Sequence, residues 1–350
     1  MKTSTFILQP LIAILTMTGF QTLAFASPDS ELISISAVGD IMLGTNFPNN
    51  YLPADQAKAS FTDATPYFKS SDIRFGNFEG TLFGGPTQAD GKAGGANRFL
   101  FRTPIDYVGR LTDSGFNVLS LANNHAHDFG AAGIRSSKQT LSLAGIQYSS
   151  KDGEVARFNV RGHSIALIAD DFYSGRRSVV TPESTYQEIA QLKSTGNLVI
   201  VSAHVGGEGS GVLHVRPGSE IFMGEKRGDS IQFAHQAIDQ GADLILMHGP
   251  HVPRAMEIYR GHLIVYSLGN FATGQGIDIT GVAGLAPLVQ IQIDGLGKFV
   301  RGHLESFQQI RPQGTYVDAR KGALHLIRAL SEKDFPQSSP QFSESGLITP

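Results

Sequence analysis

The chain has 350 residues, 41% hydrophobic and 17% charged, with 28 Lys and Arg against 31 Asp and Glu for a formal net charge of −3. That balance excludes an intrinsically disordered chain and, for want of a basic footprint, a nucleic-acid partner. No cysteine occurs, which excludes a disulfide framework and a cysteine-linked lipid anchor.

The first segment, MKTSTFILQPLIAILTMTGFQTLAFAS, has one lysine, an apolar stretch from Phe6 to about Phe20 and the small-x-small run Ala24-Phe25-Ala26. It predicts a leader over residues 1–26, cleaved near Ala26, and hence an exported protein, periplasmic or extracellular. The apolar run is short and interrupted by Gln and Pro, so no transmembrane span is expected in the mature chain.

Residues 30–330 have the length of one large α/β domain or of two small ones. Apolar, β-branched runs end one after another in polar clusters: ELISISAVGD (Glu31 to Asp40), SDIRFGNFEG (Ser71 to Gly80), SGFNVLSLANNH, TGNLVIVSAHVGGE and GADLILMHGPH. Between them the patterns predict helices from about Pro104 to Gly115, with Thr103 as N-cap, and from about Ala131 to Gly145. Two more are expected from Pro182 to about Lys193 and from Ser230 to about Gln240. Hairpins are expected at Arg161-Gly162, Arg260-Gly261 and Asp294-Gly295, building a second sheet against the first. From Ser331 the chain is rich in Ser, Pro and Gln, which predicts a loosely ordered tail over 331–350. Alternating strands and helices place sites outside the carboxyl ends of strands.

Five strand ends carry ligand-type residues: Asp40; Glu79 with Asn77; Asn124, His125 and Asp128; His204 with Glu208; His248 and His251. Mixed imidazole, carboxylate and carboxamide donors suit divalent ions of intermediate hardness such as Mn, Zn or Fe. His248 and His251 flank Gly249-Pro250, a rigid turn able to aim both rings into one space. Each residue taken singly has a plainer reading: Asp40 as a turn residue, Glu79 as a solvated loop carboxylate, His204 as a hydrogen-bonded core imidazole. His163, His235 and His262 fit structural roles. His214, after the Gly-rich loop, and Arg98 and Arg102, in NRFLFRTP, are candidates for substrate or anion contacts, as is Glu208.

The ordered set AVGDIMLG, GNFEGTL, LANNHAHDFG, SAHVGGE, HGPH and YSLGNF, from Ile33 to Phe271, resembles the bacterial capsule-synthesis CapA family, associated with poly-γ-glutamate capsules. That family is itself similar to the calcineurin-like metallophosphoesterases. The resemblance implies a single domain over residues 30–330, a four-layer αββα sandwich with one or two metal ions held by Asp40, Glu79, Asn124, His204, His248 and His251. It implies His125 as proton donor and Asp128 as its orienter, with His127 a bystander. Met42 departs from the pattern, standing where the phosphoesterases carry a histidine ligand.

Two activities are compatible with this reading. One is a metal-dependent hydrolase of a phosphoester or of an anionic polymer such as poly-γ-glutamate. The other is a non-catalytic polymer-binding or assembly subunit that works with membrane proteins of capsule synthesis.

Overall fold

The computed structural model describes Met1 and residues 31–85, 99–312 and 314–350. The expected leader and Arg98 lie outside the described residues. In chain order the first half comprises β1 (Ile33–Met42), α1 (Thr65–Phe68), β2 (Ile73–Phe78), β3 (Thr81–Leu82), β4 (Arg102–Thr103), α2 (Val108–Ser114) and β5 (Val118–Ser120). It continues with α3 (Gly130–Leu143), β6 (Gln147–Ser149), β7 (Ala156–Val160), β8 (His163–Asp170), α4 (Glu183–Ser194) and β9 (Asn197–His204). The second half holds β10 (Glu220–Phe222), β11 (Glu225–Gly228), α5 (Ser230–Asp239), β12 (Leu244–His248), β13 (Met256–Tyr259), β14 (His262–Val265) and β15 (Asn270–Thr273). Last come β16 (Leu285–Ile293), β17 (Phe299–Ile310), β18 (Gly314–Val317), α6 (Gly322–Asp334), β19 (Gln341–Phe342) and β20 (Leu347–Thr349).

One sheet runs β19-β20-β17-β16-β1-β2-β5-β6, with β15 also paired to β1 and β18 to β17; the other runs β13-β14-β12-β9-β8-β7. Strands β1, β2, β5 and β6 are mutually parallel, as are β8, β9, β12 and β14. Both groups are buried on both faces, so their side chains alternate between two cores. Ile33, Ile35 and Ala37 of β1 share the inner core with Leu198 and Ile200 of β9 and Leu244 and Leu246 of β12. Val38 and Ile41 face outward onto Leu111 of α2 and Ile134 and Leu141 of α3. Val199 and Val201 of β9 face the opposite way onto Ile189 of α4 and Phe233 and Ala237 of α5. The layers are therefore helix, sheet, sheet, helix, the expected αββα sandwich.

All three hairpins form. Arg161-Gly162 and Arg260-Gly261 take positive φ at both positions, the turn whose twist matches that of its strands. The hairpins divide between sheets, however: the one at Asp294 joins the first sheet beside β1, and the second sheet has its own parallel centre. Thr103 is not an N-cap. Pro104 disfavours helical geometry in the residue before it, and Thr103 instead pairs in β4 and donates its hydroxyl to Gly44 O at 2.8 Å.

The C-terminal segment also differs from expectation. Ser331 to Asp334 complete α6, and β19 and β20 extend the first sheet through β17. Ile348 is fully buried in the inner core, and Ser331 Oγ accepts from Met256 N at 2.8 Å. One apolar anchor and a buried backbone partner hold a segment whose composition is that of a loop. Among the described residues no helix is long and apolar enough to cross a membrane.

Candidate metal centre

Strand β1 approaches β15 unusually closely, and glycine makes this feasible. A Cβ at Gly39 would lie 1.8 Å from Gly269 O, far inside any tolerable contact. Asp40 N donates to that carbonyl at 2.8 Å, and Asp40 stands opposite Asn270 in register. Gly-Asp in AVGD and Gly-Asn in SLGN are thus two halves of one backbone contact. It places a carboxylate and a carboxamide side by side at the end of the sheet.

Around Asp40 the strand ends of both sheets meet. His251 Nδ1 lies 3.0 Å from Asp40 Oδ2 and 3.0 Å from Asn270 Oδ1, and its Nε2 lies 3.6 Å from Glu79 Oε1. His248 Nδ1 is 3.9 Å from Asp40 Oδ1, and His204 Nε2 is 4.0 Å from Glu79 Oε1. Asp40, Glu79 and His251 each present a ligand atom, all within 4.8 Å of one another, a group able to hold a divalent metal ion. Asp40, Glu79, His204 and His248 are at most 1% exposed. Both oxygens of Glu79 and both ring nitrogens of His204 and of His248 are buried without a hydrogen-bond partner among the described residues. Six such atoms in one place are costly unless something coordinates them. The donor set, carboxylates with imidazoles, fits a divalent ion of intermediate hardness.

The histidines of the cluster divide: burial lowers His251, but the charge of Glu79 and the hydrogen bond to Asp40 outweigh this and raise its imidazole to about 10, so it carries a proton, while the other two rings stay neutral. Burial pushes the Glu79 carboxyl well above its usual range. Burial likewise holds the His248 imidazole down to about 4 and the His204 imidazole well below its ordinary value. Both rings are therefore neutral at physiological pH, the form that binds metal. Burial also raises Asp40, but its hydrogen bond to His251 and the charge of that imidazole outweigh this and hold the carboxyl below its usual range. His251 has φ +58°, a left-handed backbone unusual outside glycine. The turn after Gly249-Pro250 holds that conformation and keeps the ring against Asp40.

Asparagines carry the network onward. Asn77 Nδ2 donates to Asp40 Oδ1 at 2.8 Å, Asn123 Nδ2 donates to Asn77 Oδ1 at 3.0 Å and to Phe78 O at 2.9 Å, and His125 N donates to Asn123 Oδ1 at 3.1 Å. Asn124 is half-buried in the same turn. His125 Nδ1 lies 2.8 Å from Asp128 Oδ2, which also accepts from Phe101 N. With Nδ1 engaged, Nε2 is the ring nitrogen able to exchange a proton. The Phe101 ring covers the imidazole, centroids 4.2 Å apart.

Several candidates lie elsewhere or do other work. Met42 is fully buried; its sulfur accepts from Gly44 N at 3.3 Å and it packs with Phe101 and Ile277. Arg102 does not present a free guanidinium fork: Nε donates to Asn46 Oδ1 at 2.6 Å, and the group lies over the rings of Phe47 and Phe129. His214 is bonded to Asp334 at the end of α6, Nδ1 to Oδ1 2.7 Å. Glu208 pairs with Arg227 at 2.8 Å, though its charge still reaches Glu79 and His251. Arg227, 4% exposed and 4.0 Å above the Phe172 ring, was not visible as a site residue. Nothing in its local sequence, EKRGD, separates it from a solvated arginine. Asn123 and Asn270, by contrast, stand inside the motifs ANNH and SLGN.

Two sheets packed face to face, with helices outside and carboxylates and imidazoles gathered at the strand ends beside a His–Asp pair, define the class: an αββα sandwich with a candidate metal centre at its strand ends. Within it, the family model for the bacterial capsule synthesis protein PGA_cap matches residues 34–275, and the chain belongs to that family. The PGA biosynthesis protein CapA of Bacillus subtilis is 30% identical over 288 residues, covering 77% of this chain and 70% of that protein. The capsule biosynthesis protein CapA of Bacillus anthracis is 28% identical, covering 77% and 68%. A probable polyglutamine synthesis accessory protein of Mycobacterium tuberculosis is 29% identical, covering 57% and 55%. Among solved structures, a putative 5'-nucleotidase from Staphylococcus aureus matches with a TM-score of 0.48 and 14% identity, over 85% of this chain and 58% of that one. A 5'-nucleotidase precursor from Thermus thermophilus matches with a TM-score of 0.43 and 13% identity, over 86% and 59%. The chain spans under three fifths of either nucleotidase.

Proposed function

We propose that this protein is a metal-dependent hydrolase that acts in the synthesis or processing of an anionic capsule polymer of the poly-γ-glutamate kind. The observation that carries the reading is the set of unpartnered, buried ligand atoms of Glu79, His204 and His248 around the Asp40–His251 pair. Asp40, Glu79, Asn124, His204, His248 and His251 are the residues proposed to hold Mn, Zn or Fe, at one or two positions. Such an ion supplies Lewis acidity toward a phosphoryl or carbonyl group and activates water.

The remaining roles belong to the chain itself. Asn77 orients Asp40, and Asn270 and Asp40 orient His251, each through the hydrogen bonds given above. Asp128 accepts from His125 Nδ1, which leaves Nε2 as the nitrogen that exchanges a proton; the imidazolium, protonated at both nitrogens, would give its Nε2 proton to a leaving group. Phe101 shields that ring from solvent. The family relationship supports a capsule substrate, and the leader-like residues 1–26 support export to the periplasm or beyond, where the protein would meet the polymer and its membrane-bound assembly proteins.

A second reading, a non-catalytic polymer-binding or assembly subunit, is favoured by one observation. Met42 occupies a position where the resemblance leads one to expect a ligand, and its sulfur is turned to Gly44 N. The two readings part in one experiment. Purified protein is assayed for bound Mn, Zn and Fe, then tested with each ion for hydrolysis of bis-p-nitrophenyl phosphate and of a γ-glutamyl peptide. Near-stoichiometric metal with turnover abolished in His125→Ala supports the hydrolase. Protein that takes up no metal from excess ion sinks it.

A further inference from the structure

Met42 also lines a second cavity, of about 480 Å³, that shares no ligand residue with the metal cluster. That volume lies in the range of small-molecule sites, roughly 300–1,000 Å³. Its apolar walls are Leu43, Leu52, Pro53, Ala272, Ile310 and Pro312. Its far side comes from residues 309–312, 314 and 315, beyond the part that the family model matches.

Two polar side chains in this wall converge on Thr273. Gln309 is 6% exposed, and its Oε1 accepts from Thr273 N at 2.7 Å and from Thr273 Oγ1 at 2.8 Å. A backbone N–H only donates, so these bonds settle which way the carboxamide points. The other end, Nε2, is buried and has no partner among the described residues. A buried donor of this kind calls for an acceptor, and the cavity that Gln309 lines is where one has room. Arg311, solvent-exposed at the rim, is held by the carbonyls of Thr273, at 3.2 and 3.3 Å, and of Ile277. No carboxylate pairs with its guanidinium among the described residues; Asp278 is the opposing charge that it feels, and Asp278 does not line the cavity.

We propose that this cavity binds a small organic carboxylate, its apolar body against the Leu52, Pro53 and Ile310 wall and its carboxylate oxygens on Gln309 Nε2 and Arg311. Both groups donate and neither accepts, one is cationic, and a guanidinium with an amide N–H matches the in-plane lone pairs of a carboxylate. The proposal stands independently of the hydrolase reading, since it uses none of the metal cluster.

Isothermal titration of the full chain with hexanoate, hexanol and hexyl phosphate tests it, with and without added Mn²⁺. Hexanoate is expected to bind with a dissociation constant of roughly 0.1–1 mM, at least tenfold tighter than hexanol or hexyl phosphate and unaffected by Mn²⁺. Gln309→Glu keeps the acceptor that Thr273 uses but places a charge in the cavity. It is expected to lose hexanoate binding tenfold or more, with its unfolding temperature measured alongside. If Gln309→Glu does not fold, Arg311→Gln at the exposed rim gives the same reading, again a tenfold loss. No hexanoate binding at 10-fold above that range, equal affinity for the alcohol or the phosphate, dependence on Mn²⁺, or unchanged affinity in a folded variant would each overturn the proposal.

Discussion

His251 Nδ1 lies 3.0 Å from Asp40 Oδ2, joining residues 211 apart in sequence and the loop after one sheet to a central strand of the other. This contact closes the site, because Glu79 and the two buried histidines reach the same space only when the two sheets are packed together. Disturbing either side of it should show first in metal retention and only then in stability.

Asn77 tests the orientation of Asp40. Its Nδ2 is bonded to Asp40 Oδ1, and removal of such an outer partner weakens metal binding by about 10–100-fold in comparable sites. Asn77→Ala is expected to show that loss in competition dialysis against a chelator, with its circular dichroism preserved. An unchanged metal affinity would show that Asp40 does not need Asn77, or does not ligate.

His125 and Asp128 should separate chemistry from binding. His125→Ala is expected to lower kcat by about 10²–10⁴-fold with metal content unaltered, as for loss of a general acid. Asp128→Asn should lower it less while leaving KM near the parent value, since the carboxylate acts through the ring and not on substrate. Equal turnover by His125→Ala and parent would remove it from the mechanism.

Gly39→Ala should be among the most damaging small substitutions in the chain. The added Cβ meets the backbone carbonyl of Gly269 at 1.8 Å, and no rotamer relieves a backbone contact. A loss of about 3 kcal/mol or more is expected from the enforced shift of β1 away from β15, together with loss of metal. Chemical denaturation measures the first and metal analysis the second. A parent-like midpoint would contradict the close approach of these strands.

Asp170 makes a pH prediction away from the metal ligands. Burial raises its carboxyl from 3.8 to about 7, offset only in part by the Thr185 hydroxyl and the charge of Arg177. The folded protein therefore holds this proton more tightly than the unfolded chain. Its effect on stability is absent below about pH 4, grows more unfavourable as pH rises toward 7, and is complete above that. The slope reaches at most about 1.4 kcal/mol per pH unit. Asp170→Asn, which keeps an acceptor for Thr185, should flatten the fall in denaturation midpoint between about pH 4 and 7. A mutant profile as steep as the parent's would refute the assignment.

Much of the site is legible along the chain because strands that end in a crevice must end in polar residues, and Asp40, Glu79, His125, His204 and His248 all follow apolar runs. The His125–Asp128 pair is equally visible, three residues apart within one turn. Arg102 and His214 misled for a common reason. A charged side chain near a motif reads as free, whereas Asn46 and Asp334, far away in sequence, engage these two. Arg227 was hidden for the converse reason, as its pairing with Glu208 and its place over Phe172 come from separate segments.

By itself the sequence determined the long core strands, the glycine turns of the hairpins and the chemistry of each strand end, since these follow from alternation, local backbone freedom and residue type. Only the tertiary structure decided which strands share a sheet: the β9 and β12 runs look no different from β2 and β5, yet they pack across the core from them. It also decided that the tail is a helix end and two strands, because Ile348 finds a buried place that composition cannot foresee. Above all it decided that the ends of four separate strands meet around Asp40, with the His125 turn joined to them through Asn123 and Asn77. Convergence of buried ligands depends on how two sheets stack, and no spacing along one chain encodes a distance across that interface.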